Sequence, residues 1–228
     1  GKTSFVLGEI RDAIRSVQAD LVFLQEVVGH NGPLSGKVKG WPTESQFEYL
    51  ADDIWPHFAY GKNAVYDAGN HGNALLSRYP IKDWSNIDVS TNPFEKRGIL
   101  HAVIEAEREL HCLCLHLGLL KRCRAKQLGL LSRLIEREVR PESPLLVAGD
   151  FNDWSNRATQ TLAKSISARE AFQETYGKHP RTYPSNFPLL QLDRIYFRGL
   201  QVRQARVLSG KPWRKLSDHS ALYAEFST

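Results

Sequence analysis

The stretch Gly149-Asp150-Phe151-Asn152-Asp153-Trp154 follows directly on the apolar run PLLVA at 144–148. The run predicts a buried strand that ends near Asp150. A polar turn alone would account for Gly, Asp and Asn at the end of a strand. Two carboxylates and a carboxamide behind a buried strand also suit a reactive site, so the rest of the chain must decide between the two interpretations.

Composition is that of an ordinary globular protein. The 228 residues are 42% hydrophobic and 24% charged, and 30 Lys and Arg against 25 Asp and Glu give a net charge of +5. The positive excess favours an anionic partner such as nucleic acid, phospholipid or a phosphorylated metabolite. No stretch approaches the roughly 18 apolar residues of a membrane span, so we expect a soluble monomer without stable membrane insertion.

Cysteine usage indicates the compartment. The three residues Cys112, Cys114 and Cys123 are an odd and sparse set, which argues against a disulfide scaffold and favours a reducing environment. We therefore expect a cytoplasmic protein. The chain begins at Gly1 and contains no methionine, which predicts that residues are missing upstream.

Hydrophobic periodicity predicts a layered α+β domain spanning 1–228. Helices are expected at 5–19, 44–55 and 121–140, the last with its basic residues facing solvent, and a long surface loop with Trp41 is expected at 29–42. Strands are expected at 20–27 (buried on both faces), 57–66, 72–81, 82–90, 99–107, 109–117, 144–150, 192–197 and 221–226, with a hairpin around Arg108.

Acidic residues and histidines recur beside these predicted strands. They are Glu26, His116, Asp150, Asn152, Asp193, Asp218 and His219. Charged groups are costly beside buried strands unless they are paired or bind metal, so we expect these side chains to converge on one rim. Carboxylate and amide oxygens without thiolate suit Mg²⁺ or Mn²⁺, and the histidines supply an acid or base near neutral pH. Together they predict metal-assisted phosphoester hydrolysis.

Six motifs together resemble the endonuclease/exonuclease/phosphatase superfamily. They are LQEV at 24–27, GNALLSRYPI at 72–81, HLG at 116–118, GDFND at 149–153, LDRIYF at 192–197 and SDHSAL at 217–222. They occur in the family's order and cover nearly the whole chain. The resemblance implies a four-layer α/β/β/α sandwich, like that of deoxyribonuclease I, in which two packed mixed sheets are flanked by helices and a metal-dependent phosphoesterase site lies at one end.

The resemblance also implies a role for each motif residue. Glu26 resembles the metal-binding glutamate, and Asp218 a second acidic metal ligand. Asp150 resembles the aspartate that activates or orients the attacking water, and Asn152 the residue that holds phosphate or water. His219 would stabilise the transition state or donate a proton, Asp193 would position its imidazole, and His116 matches the other active-site histidine.

Two further residues are candidates for substrate binding. Asn73 and Arg97 are expected at loop edges beside strands, where either could contact a phosphate. One feature departs from the family pattern, because the family begins with a strand bearing an Asn ahead of the first helix. We expect that strand upstream of Gly1 in a longer natural protein.

Alternative interpretations concern zinc and substrate. Cys112, Cys114 and His116 share one strand face, which raises the possibility of a zinc site. The two sulfurs would lie roughly 6–7 Å apart on an extended strand, too far for one tetrahedral zinc ion, so we expect two buried cysteines instead. The leading hypothesis is a nuclease that hydrolyses phosphodiesters of nucleic acid. A phospholipid or inositol-phosphate-like phosphatase, in which the 29–42 loop forms a headgroup pocket, and a binding module without turnover are the alternatives.

Overall fold

The structure is a computed structural model that describes residues 6–31, 44–66 and 69–227. Two expectations lie outside these residues: the strand upstream of Gly1, and the loop at 29–42 from residue 32 onward, including Trp41. The part of the loop that is described, up to Asn31, continues the preceding strand.

Helices and strands alternate irregularly along the chain. The helices are α1 Leu7–Val17, α2 Gln46–Ala51, α3 Lys121–Glu138, α4 Arg157–Ile166 and α5 Ala171–Tyr176. The strands are β1 Leu21–Asn31, β2 His57–Tyr66, β3 Gly69–Ser77, β4 Ile81–Asp88, β5 Gly98–Glu105, β6 Glu109–His116, β7 Leu145–Asp150, β8 Arg169–Glu170, β9 Asp193–Arg198, β10 Gln201–Leu208 and β11 Ala221–Ser227.

Three hydrogen-bonded sheets organise these strands. The largest has the order β4-β5-β6-β7-β9-β8, in which β6 and β7 are parallel and every other neighbouring pair is antiparallel. A second sheet has the antiparallel order β1-β3-β2, and β10 and β11 form an antiparallel pair.

Buried apolar residues fill three spaces, which makes four layers. Leu131 and Leu162 of α3 and α4 pack on the outer face of the six-stranded sheet. The inner face meets the other strands through residues such as Leu75 and Phe197. A third cluster around Trp55 joins the β1-β3-β2 sheet to α1 and α2. The predicted α/β/β/α sandwich is confirmed.

A cleft of about 980 Å³ lies between β1 and β11. Its walls include residues 21–27 of β1 and 221–227 of β11. Within the described residues, β1 pairs only with β3, and β11 only with β10. Each strand therefore presents one edge towards this cleft.

Most predicted elements are confirmed, and the differences have physical causes. The strand predicted at 20–27 is half-buried rather than buried on both faces, because one edge borders the cleft. The helix predicted at 44–55 is only Gln46–Ala51, starting after a capping box at Ser45. Hydrophobic periodicity did not predict α4, α5, β8 and β10. None of the helices in the described residues is long and apolar enough to cross a membrane.

The prediction that the basic residues of α3 are solvated is wrong for one of them. Arg124 is 5% exposed and donates hydrogen bonds to the carbonyls of Gly118 (3.2 Å) and Leu119. Its guanidinium also lies 4.7 Å from the centre of the Trp154 ring. Arg124 therefore fastens the segment after β6 to the segment after β7.

Candidate active site

Three of the predicted residues form a row across neighbouring strands. His116 of β6 is in register with Asp150 of β7, and Asp150 is in register with Asp193 of β9. Residues two positions earlier or later on the same strands, Cys114 and Ile195, belong to the core between the sheets. Because side chains two apart share a strand face, the row points into the space between the sheets. The strand register itself therefore assembles this half of the site.

His219 reaches the row from the segment ahead of β11. Its Nδ1 lies 2.9 Å from Oδ2 of Asp193, in the Asp–His pair that the sequence suggested. The ring of Tyr183, with its centre 4.9 Å from that of His219, packs on the imidazole. A carboxylate partner at Nδ1 leaves Nε2 available for chemistry.

His116 lies between two carboxylates. Its Nε2 is 3.3 Å from Oδ2 of Asp150, and its Nδ1 is 3.6 Å from Oε1 of Glu26. Glu26 and Asp150 come from the two packed sheets, so His116 bridges them. These contacts bring five of the predicted residues, Glu26, His116, Asp150, Asp193 and His219, into one connected set.

Burial and charge set the protonation of this set. Burial and the neighbouring charge of Asp193 raise the pKa of Asp150 to about 7. Burial lowers the pKa of His219, but the hydrogen bond and charge of Asp193, with the charges of Asp150 and Asp218, raise it to about 9. Burial and the charge of Arg97 lower the pKa of His116 to about 3. At neutral pH, His219 is therefore cationic and His116 neutral, and a proton between His116 and Asp150 resides on Asp150.

The GDFND loop is held from several sides. The backbone N–H of Asn152 donates to Asp150 Oδ1 (2.7 Å), and its amide Nδ2 donates to the carbonyl of Leu117 (2.9 Å). Asn152 has a φ of 48°, in the left-handed region. Asp153 accepts hydrogen bonds from the hydroxyl of Ser155 (2.6 Å) and from the backbone N–H of Ala158 (2.7 Å), which lies in the first turn of α4.

Gly149 and Arg194 allow the strands to approach each other at this loop. A Cβ on Gly149 would lie 1.9 Å from the carbonyl oxygen of Leu115 on β6, so only glycine fits there. Arg194 is 1% exposed and donates from Nη1 to the carbonyl of Asp193 and from Nη2 to that of Asp153, both at 2.9 Å. The guanidinium therefore joins the start of β9 to the loop after β7.

Glu26 lies in an irregularity of β1. The register between β1 and β3 shifts between Leu24 and Val27, and Glu26 has a φ of 56°. Such bulges redirect a side chain and are common beside active sites. The Glu26 side chain is 68% exposed. The bulge presents its carboxylate at the mouth of the cleft, where Glu26, Asp193 and His219 are all lining residues.

Asp218 lies next to His219 and is exposed. Its backbone carbonyl accepts a hydrogen bond from the backbone N–H of Ser185 (2.7 Å), and its carboxylate charge reaches the His219 imidazole. The Asp218 carboxylate contacts the hydroxyl of Ser217 at 3.5 Å. Asp218 therefore borders the site without joining the connected set.

The two predicted substrate-binding residues differ from expectation. Asn73 is not at a loop edge but inside β3, 1% exposed, and its Nδ2 donates to the carbonyls of Gly98 (3.0 Å) and Cys114 (3.3 Å). This amide group therefore braces the sheets. Arg97 does lie in a loop before β5, where its Nη2 pairs with Glu95 Oε1 at 3.0 Å. Its charge acts on both Asp150 and His116.

The donor chemistry fits a hard divalent cation. Glu26, Asp150 and Asp218 supply carboxylate oxygens, the donor type that such a cation prefers. Within the described ranges, no group of three or more His, Cys, Asp or Glu side chains is arranged to hold a metal ion. Cys112 and Cys114, the other candidates, are buried in the core between the sheets.

Asp153, Arg194 and Tyr183 also shape the site and were not predicted from the sequence. Asp153 stands in the GDFND motif, but its contacts gave no sequence signal, because it does not occupy the position directly before α4, which begins at Arg157. Arg194 gave no signal, because a charged residue inside a strand is more often exposed. Tyr183 lies in a segment without regular structure and is brought to His219 by the tertiary fold alone.

Comparison with known proteins places the chain in a family. The model of the Endonuclease/Exonuclease/phosphatase family matches residues 4–219. The chain is 46% identical over 224 residues to YbhP of Escherichia coli strain K12, covering 97% of this chain and 88% of YbhP.

Solved structures agree on the fold. The mannosyl-6-phosphatase Bt3783 of Bacteroides thetaiotaomicron has a TM-score of 0.73 at 17% identity, over 97% of this chain and 90% of that one. D. rerio TDP2 complexed with single-strand DNA product has a TM-score of 0.71 at 18% identity, over 99% and 94%. At such identities the likeness shows the fold and does not choose a substrate.

Proposed function

The chain belongs to the endonuclease/exonuclease/phosphatase family and is by that membership a phosphoric ester hydrolase, and we propose that its single domain hydrolyses a phosphodiester with Mg²⁺ or Mn²⁺ at the β1, β6, β7, β9 and β11 rim. The observation that carries this proposal is the His116, Asp150 and Asp193 row, extended by the 2.9 Å contact of Asp193 with His219. The site therefore contains a base with a pKa near 7, Asp150, and a cationic imidazole, His219, that is oriented by Asp193.

Asp150 is the group suited to activating water. Its pKa of about 7 lets it accept a proton near neutral pH, and the backbone of Asn152 fixes its orientation. Neutral His116 at 3.3 Å can share that proton. The rigid GDFND loop keeps these groups in place while a phosphate binds.

His219 is the group suited to the developing negative charge. With a pKa of about 9 it carries a proton at neutral pH, and Asp193 orients the ring. It can hold a phosphoryl oxygen or give its proton to the leaving oxygen. Glu26 and Asp218 would hold the cation, whose charge offsets that of the phosphate.

Hydrolysis of bis(p-nitrophenyl) phosphate tests the proposal. Asp150→Asn and His219→Gln should each lower kcat/KM by about 10³-fold or more, since each removes a proton-transfer or charge-stabilising group. EDTA should abolish wild-type activity, and Mg²⁺ or Mn²⁺ should restore it. The exposed carboxylate variant Asp83→Asn is the matched control and should retain wild-type activity.

Full activity in either Asp150→Asn or His219→Gln, or in EDTA, would refute these roles. The sequence-based expectation of a nucleic-acid substrate is tested in the same assay series, by comparing cleavage of supercoiled plasmid with release of product from phospholipid headgroups. Turnover of neither, nor of any nucleotide, would favour a binding module.

A further inference from the structure

An exposed apolar patch lies beside the candidate active site. We define it as Phe94, Leu119, Leu120 and Trp154, whose residues are 97%, 61%, 62% and 55% exposed. Single exposed hydrophobic residues need no explanation, but a group of large ones at one place indicates a contact surface.

Hydrogen bonds hold the patch together. The backbone N–H of Leu119 donates to Oε1 of Glu95 at 3.1 Å, which places the Phe94 turn against the segment after β6. Arg124 donates to the Leu119 carbonyl and packs over Trp154 at 4.7 Å. Three separate segments of the chain are therefore fastened with their apolar side chains directed outward.

The patch is continuous with the site through the backbone. Leu119 follows His116 by three residues, and Trp154 follows Asn152 by two. Glu95, which binds the Leu119 N–H, also pairs with Arg97. A surface that docks on the patch therefore lies next to the groups proposed to cleave the phosphoester.

Positive charge borders the patch. Lys96, Lys121 and Arg122 are exposed and adjoin Phe94 and Leu120 in sequence. Glu95, the acidic residue among them, is already paired with Arg97. Surfaces that insert into an anionic bilayer combine aliphatic side chains, aromatic rings and flanking Lys and Arg, and the patch has this composition.

Nucleic acid fits the patch less well. Binding of single strands relies on aromatic faces on which bases stack. Leu119 and Leu120 have no such face, and one face of Trp154 is covered by Arg124. We propose that the Phe94, Leu119, Leu120 and Trp154 patch docks the protein on anionic phospholipid and that the active site beside it hydrolyses a lipid phosphoester. The substrate part of this inference rests on the proposed function.

Co-sedimentation with vesicles tests the docking. The purified chain is mixed with vesicles of phosphatidylcholine alone or with phosphatidylglycerol, and the bound fraction is measured at low and high salt. Wild type should bind the phosphatidylglycerol vesicles, and binding should fall at high salt. The triple variant Phe94→Ser, Leu119→Ser and Leu120→Ser should lower the partition coefficient at least tenfold.

A matched control separates docking from general hydrophobicity. The Trp84→Ser and Tyr176→Ser variant removes large exposed side chains at other places and should bind as wild type does. Circular dichroism and Tm show that each variant is folded. Hydrolysis of bis(p-nitrophenyl) phosphate by the triple variant should equal that of wild type, whereas release of product from phosphatidylglycerol vesicles should fall with binding.

The other possible results contradict either the docking surface or the proposed function. Failure of wild type to bind phosphatidylglycerol vesicles, or equal binding by the triple variant, overturns the docking surface. Patch-dependent binding of a single-stranded oligonucleotide in place of vesicles identifies a nucleic-acid surface and overturns it as well. Patch-dependent vesicle binding without hydrolysis of any phosphoester keeps the docking surface and refutes the proposed function.

Discussion

The two sides of the candidate site are built in different ways. On the six-stranded sheet, Asp150 and Asp193 stand in register with buried neighbours, and the Asp150 side chain is 8% exposed. On the other side, Glu26 is 68% exposed in a bulge of β1, and Asp218 is exposed ahead of β11. Glu26 lines the cleft between β1 and β11, as do Ser217 and His219, the chain neighbours of Asp218.

In the function we propose, this difference separates proton transfer from cation binding. Burial raises the pKa of Asp150, and the hydrogen bond to Asp193 orients His219, so the sheet side has the fixed geometry and the shifted pKa values that acid–base groups need. Exposed carboxylates keep ordinary hydration and can take a cation from solution. In that proposal the six-stranded sheet supplies preorganised acid–base groups, and the other side would supply accessible carboxylates for a cation.

The largest expected loss of stability comes from a substitution in the six-stranded sheet. In Gly149→Ala, the new Cβ would lie 1.9 Å from the Leu115 carbonyl at a φ of 147°, so β7 must move away from β6. We expect the free energy of unfolding to fall by about 4 kcal/mol. Urea denaturation measures it.

Gly177→Ala is the control for backbone strain alone. Gly177 has a φ of 68°, and a Cβ added there would have no atom within 4 Å, so only the left-handed conformation is penalised. That should cost about 1 kcal/mol. Equal losses of stability in the two variants would show that the close approach of β7 to β6 is not the reason why position 149 requires glycine.

A smaller effect concerns the opposite end of the same sheet. His101 Nε2 lies 3.0 Å from His111 Nδ1, and both residues are buried. Burial and the charge of His111 lower the pKa of His101 to about 4. The fold therefore favours the neutral ring. The stability that neutral His101 contributes is fully present above pH 6.5 and is lost as the pH falls towards 4.

Urea denaturation between pH 7 and pH 5 measures this loss. Although the raised pKa values of Asp150 and His219 oppose it, His101 alone should lower the free energy of unfolding by about 2 kcal/mol over this range. His116 acts in the same direction, because its pKa is also lowered. The loss of stability between pH 7 and pH 5 should therefore be about 2 kcal/mol smaller in His101→Gln than in wild type, and a slope equal to that of wild type would contradict the assignment to His101.

The sheet side was the more predictable from sequence. The apolar run at 144–148 and the alternating pattern at 109–117 are strong local signals, and they place Asp150 and His116 at strand ends. That Asp193 stands beside them is a matter of strand order, which local patterns do not contain. The recurrence of acidic residues beside predicted strands brought Asp193 into the predicted site, and the family resemblance gave it a role.

The cleft side was predicted less well, for physical reasons. Periodicity placed a strand at 20–27 but could not show the bulge at Glu26 or the open edge, since both depend on the register with β3. On the sheet side the same limit applies to Arg124, whose helix position predicts exposure to solvent, whereas two carbonyls and Trp154 bury it. Long-range hydrogen bonds decided these positions, and a single sequence does not reveal them.

The smallest expected changes in stability come from two residues, one on each side of the site, that share a left-handed backbone conformation. Asn152 and Glu26 have φ values of 48° and 56°, which glycine adopts without strain. Asn152→Gly also loses the buried hydrogen bond to the Leu117 carbonyl, so we expect a net loss of about 1 kcal/mol in the free energy of unfolding. Glu26→Gly loses an exposed side chain and should be neutral or stabilising by up to about 1 kcal/mol.

Gln18→Gly calibrates the relief of strain. Gln18 ends α1 with a φ of 55° and is a position where glycine is common, so this variant gives the stability gained from the backbone alone. Urea denaturation compares the three variants, and both site variants should lose phosphodiesterase activity. Glu26→Gly would then show that the cleft side gives up stability to hold a carboxylate in place. A loss in Glu26→Gly as large as that in Asn152→Gly would instead mean that both sides of the site are equally supported by the fold.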